Sequence, residues 1–214
     1  FIRETTHVKD HTFRFSRRAE AEGLVVIDDS QSIIRCMNKV YLAEMLDRHE
    51  IPHPRTMIIH KENADHVLGE LGLPCVLKQP DSAFSQGVVK VESEPELKSE
   101  LARLLEDSDL VIGQEFLPTA FDWRIGVLDR QALYACRYFM APRHWQIVKT
   151  GGSQGMRFGR VEGVPLEEVP ERVVKAAVRA ANVVGDGLYG VDLKEVSGRA
   201  YVVEVNDNPT IEAD

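Results

Sequence analysis

The sequence predicts an α+β protein, with helices and largely antiparallel strands mixed along the chain, and three observations predict it. Short runs rich in β-formers, such as 110-LVIGQEF-116 and 200-AYVVEVN-206, recur between stretches of helical apolar spacing. In the second half, two pairs of such runs close around Asp129-Arg130 and Ser197-Gly198, which reads as hairpins. The order lacks the regular strand–helix–strand alternation of a parallel sheet.

The elements follow in order. Residues 1–23 mix acidic and basic side chains, including Arg14, Arg17 and Arg18, and predict a short helix or an extended arm. The apolar run 24-LVVID-28 predicts a strand. In 38–54, Val40, Leu42, Met45 and Leu46 fall at mainly helical spacing, Asn38 is a candidate N-cap, and Pro52 and Pro54 stop the pattern. A strand is expected at 55–60, a helix at 62–72, a strand at 73–80 ending on Pro80, the small-residue loop 81-DSAFSQG-87, and a strand at 88–92. Leu97, Leu101, Leu104 and Leu105 put one apolar stripe on a helix over 94–107. Strand 110–116 and hairpin 122–139 follow. Residues 140–164 read as a long irregular segment, of the kind that usually carries function. The helix at 165–185 has Val169, Val173, Ala177, Val178 and Ala181 on its stripe, and strands 188–196 and 200–206 close the chain.

Over 214 residues there is room for one large domain or two small ones around a real core. A hydrophobic content of 43% with 28% charged residues is an ordinary globular mixture. The net charge of −8 argues against a general nucleic-acid or anionic-membrane binder, while leaving room for a local basic pocket for phosphate. Cys36, Cys75 and Cys136 are odd in number and widely spaced, so neither a disulfide framework nor a zinc site is expected, and a reducing cytoplasm is the reading. No apolar run has transmembrane length and no signal peptide opens the chain. It begins at Phe1 and stops at Asp214, which is read as a piece of a longer protein.

Four constellations could carry chemistry. In the last hairpin, Asp192 lies on one strand, and Glu204 and Asn206, two apart, share a face of the next. Three oxygen ligands on one face suit Mg²⁺. This depends on register: Asp192 opposite Glu204 unites all three, whereas Asp192 opposite Val203 points it away and leaves a solvated edge hairpin. A bulge or an odd turn would be needed for the first. The alternation assigns Val191, Leu193, Val203 and Val205 to the core face. Second, Lys39 opens a helix and Lys78 ends a strand beside the loop containing Ser85, Gln86 and Gly87, an arrangement that suits phosphate but also describes a solvated loop. Third, Gln114, Glu115, Phe116 and Leu117 end a strand whose backbone could meet an adenine ring, or they are an ordinary strand end. Fourth, Arg124 and Arg137 on neighbouring strands suit carboxylate or phosphate, or surface ion pairs. His60, His66 and His144 show no metal spacing, and no HRD or DFG occurs.

The order of these pieces, ending in 189-YGVDLKEV-196 and 202-VVEVNDNP-209, resembles the ATP-grasp superfamily, and within it the RimK-like carboxylate–amine ligases of the glutamate ligase and glutathione synthase type. The resemblance spans about Met37 to Glu212. It implies two α+β subdomains with antiparallel sheets enclosing a nucleotide cleft: 1–28 as the tail of a preceding domain, 29–113 as the first subdomain, and 114–214 as the second, truncated at its C-terminus. It implies Lys39 and Lys78 on phosphate, Gln114 to Leu117 on adenine and Asp122 near ribose. Asp192, Glu204 and Asn206 become metal ligands, with Glu204 shared by two Mg²⁺ and Mn²⁺ as an alternative ion. Arg137 steadies the transferred phosphate, and Arg124 and Lys149 add catalytic cations. The loop 81–87 and segment 140–160 become lids, though DSAFSQGV holds fewer glycines than the usual family loop.

The implied activity is amide formation through an acyl phosphate. Mg-ATP activates a carboxylate, and an amine, an amino acid such as glutamate or a peptide, attacks it. No nucleic-acid or membrane partner is expected, and a homo-oligomer is allowed. The alternative is a non-catalytic ATP-binding regulatory module of the same fold. A plain interaction domain is the third reading, favoured if Asp192 lies opposite Val203.

Overall fold

The computed structural model describes residues 1–4, 6–80, 87–149 and 157–211, without the Lys149 side chain. Its elements in order are helices α1 (His11–Ala21), α2 (Ser30–Met37) and α3 (Lys39–Arg48), then β1 (Thr56–Ile59), α4 (Val67–Leu71), β2 (Cys75–Lys78), β3 (Val88–Val91), α5 (Glu94–Asp107) and β4 (Val111–Glu115). The second half runs β5 (Phe121–Leu128), β6 (Gln131–Phe139), β7 (Val148–Lys149), β8 (Arg157–Phe158), β9 (Val161–Val164), α6 (Glu171–Val184), β10 (Leu188–Val196) and β11 (Arg199–Asn206). The strands form a four-stranded sheet in the order β1-β4-β2-β3, a five-stranded sheet in the order β11-β10-β5-β6-β9, and the small ribbon β7-β8. All pairings are antiparallel.

Each sheet has its own core. Leu97, Leu101, Leu104 and Leu105 of α5 bury their stripe with Ile59, Leu77, Val91 and Val111 of the small sheet, and Val67 and Leu71 of α4 join them. On the large sheet, the α6 residues Val173, Ala177, Ala180 and Ala181 pack with Ile125, Val191, Leu193 and Val205. Cys36, Leu42, Leu46 and Ile51 also belong to this second core, although they precede the small sheet in the chain. Helix α3 is therefore rooted beside the large sheet. Its N-terminus is capped by Asn38, whose side-chain oxygen accepts from Tyr41 N at 3.0 Å.

Two expectations are corrected. The run 24–28 is not a strand: Leu24 and Val25 are exposed, and Asp28 is the buried residue. Helix α2 was not signalled by periodicity. Its start is set by Asp29, which accepts from Gln31 N and Ser32 N, both at 3.0 Å, and its Ser32 hydroxyl meets the buried Tyr189 hydroxyl at 2.6 Å. The long C-terminal helix begins at Glu171 rather than at 165, because Pro165 and Pro170 leave a separate turn, Leu166–Glu168, before it.

Asp28 is 1% exposed, and neither of its carboxylate oxygens has a hydrogen-bond partner among the described residues. Burial, reinforced by Asp207, pushes its pKa from 3.8 up to about 8. Between those two values the folded protein holds a proton that the unfolded chain releases, so this group's stabilisation fades as pH rises toward 8. Asp28→Asn has no proton to lose. Urea unfolding at several pH values should show the variant gaining on the wild type with rising pH, by at most roughly 1.4 kcal/mol per pH unit. Parallel curves would show that Asp28 does not titrate in that window.

Candidate active site

The two sheets face each other across a cleft lined by Val76, Lys78 and Val88 of the small sheet and by Asp122, Tyr138, Asp192, Lys194 and Glu204 of the large one. Lys39 enters it from the start of α3, and Gln114, Glu115, Phe116 and Leu117 form one end where the chain passes between the sheets. No helix among the described residues is long and apolar enough to cross a membrane.

The floor is set by one irregularity in the last hairpin. The two-residue turn Ser197-Gly198, with φ of 50° and 74°, places Val196 opposite Arg199 and Leu193 opposite Val202. Carried on unchanged, that register would put Val203 opposite Asp192. Instead the pairing shifts between Asp192 and Leu193, so that Asp192 faces Glu204 and Gly190 faces Asn206. Val203 is the extra residue of a β-bulge. Below the bulge Ala200 and Val202 are core residues, above it Val205 is, and the parity change turns Glu204 and Asn206 to the cleft. Val203 itself is half-buried and lines the cleft, so its expected place in the core is taken by Val202.

Asp192 is held from both sides. Across the β10–β5 ladder it faces Arg124, whose Nε and Nη2 donate to the two carboxylate oxygens at 2.7 and 2.6 Å. Asn206 Nδ2 donates to Asp192 Oδ2 at 3.1 Å and to Gly190 O at 3.2 Å, which fixes the amide orientation. Burial pushes the Asp192 carboxyl up and the Arg124 charge opposes that. Gly190 permits this packing, since a Cβ there would come within 2.7 Å of Pro209. Glu204 pairs with Lys39 at 3.4 Å. Two carboxylates and an amide on one face are an all-oxygen donor set, the kind Mg²⁺ takes.

The opposite wall presents Lys78, whose Nζ donates to Gln114 Oε1 at 2.7 Å. Burial lowers its pKa to about 8, which still leaves it mostly protonated at neutral pH. The α3 backbone ties to the end of this wall through Lys39 N and Pro80 O at 3.3 Å. Gly87 has φ of +67°, and a Cβ there would lie 2.6 Å from Gln79 Oε1, so the return of the chain into β3 requires glycine. Ser85, Gln86 and the Lys149 side chain lie outside the described residues. Glu115 is bound by Arg55 through Nε at 2.9 Å and backbone N at 2.9 Å. Phe116 carries Lys90 over its ring at 4.5 Å and meets Trp145 edge-on at 6.0 Å.

Arg137 is not brought to the cleft. It pairs with Trp123, so it shares the other face of the sheet, and its guanidinium stacks at 4.9 Å on Trp123 and 5.2 Å on Phe121. The expectation that it steadies a transferred phosphate is withdrawn. Lys194, in contrast, was missed. It donates to Asp122 Oδ1 at 2.6 Å and Thr119 Oγ1 at 2.8 Å on the cleft face. Its signal was its place two residues after Asp192 on one strand. Tyr138, under Arg124 at 4.8 Å, and Trp145 were also unsignalled, because each depends on cross-strand or loop placement.

Residues 36–214 match the model of the RimK-like ATP-grasp domain. Among curated relatives, the alpha-aminoadipate–LysW ligase LysX of Saccharolobus solfataricus is 29% identical over 89% of this chain and 68% of its own length. The tetrahydromethanopterin:alpha-L-glutamate ligase of Methanocaldococcus jannaschii is 30% identical over 86% of this chain and 62% of its own. Among solved structures, the D-alanine–D-alanine ligase of Bacillus anthracis complexed with ATP superposes with a TM-score of 0.70 at 23% identity, over 91% of this chain and 63% of that one. The chain thus spans roughly two thirds of the length of the proteins it resembles. With its paired antiparallel sheets and a family match over most of its length, the chain belongs to the RimK-like ATP-grasp family of ATP-dependent carbon–nitrogen ligases.

Proposed function

We propose that this chain binds Mg-ATP in the cleft and joins a carboxylate to an amine through an acyl phosphate, with an acidic amino acid such as glutamate added to a peptide or protein. The observation that carries this reading is the bulge-set face on which Asp192, Glu204 and Asn206 meet, opposite Lys78 and beside Lys39. Two of the relatives are named for α-aminoadipate and α-L-glutamate, both acidic amino acids.

In this reading a carboxylate oxygen attacks the γ-phosphorus and ADP leaves. The amine nitrogen then attacks the acyl carbonyl, and phosphate leaves as the nitrogen gives up its proton. Triphosphate and carboxylate repel, so the approach needs positive charge in a site screened from water. Lys39 and Lys78 supply it from opposite walls. Asp192, Glu204 and Asn206 would hold Mg²⁺, which would supply neutralisation of phosphate charge. Arg124 keeps Asp192 oriented, and its charge opposes the burial that favours the protonated carboxyl. The strand end Gln114 to Leu117 receives the base, and Asp122, held by Lys194, lies toward the ribose.

Calorimetry with the imido analogue of ATP, with and without Mg²⁺, tests the site. Metal-dependent binding is expected, and Lys78→Ala should weaken it by about 10- to 100-fold, the worth of a hydrogen bond to a charged group. Unchanged affinity in that variant would remove Lys78 from the phosphate site. Phosphate release that rises with an added amino acid or peptide separates a ligase from a non-catalytic nucleotide-binding module of the same fold.

A further inference from the structure

We propose that Thr56 is a positioning residue for Lys78, acting through the side-chain amide of Gln114. This rests on the nucleotide-binding reading and extends it to a residue on the far strand of the small sheet. Thr56 and Gln114 are directly paired between β1 and β4, and Gln114 is also paired with Val76 on β2, two residues before Lys78.

The hydrogen bonds have a fixed direction. Thr56 Oγ1 donates its one hydrogen to Pro54 O at 2.7 Å. Toward Gln114 it can therefore only accept, and Gln114 Nε2 donates to it at 3.0 Å. The nitrogen end of the amide is thereby committed to Thr56, which leaves the carbonyl oxygen facing Lys78 Nζ at 2.7 Å. Gln114 is only 9% exposed, so water does not readily replace either contact. Without the hydroxyl, Gln114 Nε2 loses its acceptor and only Lys78 itself is left to select the amide orientation. The flipped amide would set an N–H₂ group against an ammonium, and the lysine would lose its anchor. A buried lysine already penalised by desolvation is sensitive to such a change.

The test is calorimetry of wild type, Thr56→Val, Thr56→Ser, Gln114→Met and the Thr56→Val/Gln114→Met double variant with the imido analogue of ATP and Mg²⁺. Thr56→Val should raise Kd about five- to tenfold, the scale of one buried hydrogen bond. Thr56→Ser, which keeps the hydroxyl, should bind within about twofold of wild type. In the Gln114→Met background Thr56→Val should add nothing, because the residue acts through the amide. If Thr56→Val does not fold, Thr56→Ala removes the same hydroxyl without adding an apolar branch. Wild-type binding with an unchanged Kd in the hydroxyl-less variant overturns the inference. So does a Thr56→Ser variant as weak as Thr56→Val, or full additivity with Gln114→Met. No binding by the wild type overturns the nucleotide reading, and this inference with it.

Discussion

Glu204→Gln is expected to leave the protein folded and to lower metal-dependent phosphate release by at least about a hundredfold. Replacing a residue that merely orients a metal ligand commonly costs 10- to 100-fold, so removing the charge of a residue proposed as a direct ligand should cost no less. Glutamine keeps the shape and hydrogen-bonding reach of the side chain, and Glu204 is partly open to the cleft, so the fold has little stake in its charge. What changes is the face itself. Asp192 already spends both oxygens on Arg124, and Glu204 faces it directly across the ladder as the second carboxylate of the set. Steady-state phosphate release over a Mg²⁺ titration, with a urea unfolding curve as control, checks this. Activity within tenfold of wild type at matched Mg²⁺ would remove Glu204 from the metal set.

Arg124→Ala should act first on stability, by about 3–5 kcal/mol, the range seen when one partner of a buried ion pair is deleted. Both side chains are largely buried, at 14% and 17% exposure. Removing the guanidinium leaves the Asp192 carboxylate without the charge that opposes its desolvation, and its pKa, already pushed up, rises further. Asp192→Asn in the same background relieves the orphaned charge, so the double variant should recover part of the lost stability. Urea unfolding of the single and double variants decides the matter. A loss below about 1 kcal/mol for Arg124→Ala would mean that solvent or a rearranged neighbour compensates, and that the pair is not a stabilising part of the floor.

Much of this fold could be read from residue spacing because the physics behind it is local. The leucine stripe of 94–107 needs only a 3.6-residue period, and the turns at Asp129-Arg130 and Ser197-Gly198 need only two residues able to adopt positive φ. Lys39 at a capped helix start and Lys78 at a strand end were legible for the same reason. The bulge at Val203 was not, because a register shift is a compromise between two chains of contacts, and the sequence could state only that one was needed. The facing of Arg137 was lost in the same way: it follows from its pairing with Trp123, which no spacing within β6 reveals. Helix α2, too short for periodicity, is held by Asp29 and Tyr189 from outside itself. That α3 packs with the large sheet is a matter of tertiary routing, and the chain order suggested the reverse.

The separate rooting of the two walls makes the cleft an electrostatic balance with a logic of its own. Lys78, anchored on the small sheet, is drawn by Glu204 and Asp122 and repelled by Lys39 and Lys194, all four of them standing on the other wall. A divalent cation alone, settling beside Glu204, cancels part of the attraction and leaves the repulsion standing. A polyphosphate alone draws the lysines together but crowds its oxygens against the carboxylates. In the proposed reading only the two arriving together satisfy every charge at once, so the cleft would favour the metal–nucleotide pair over either component by itself.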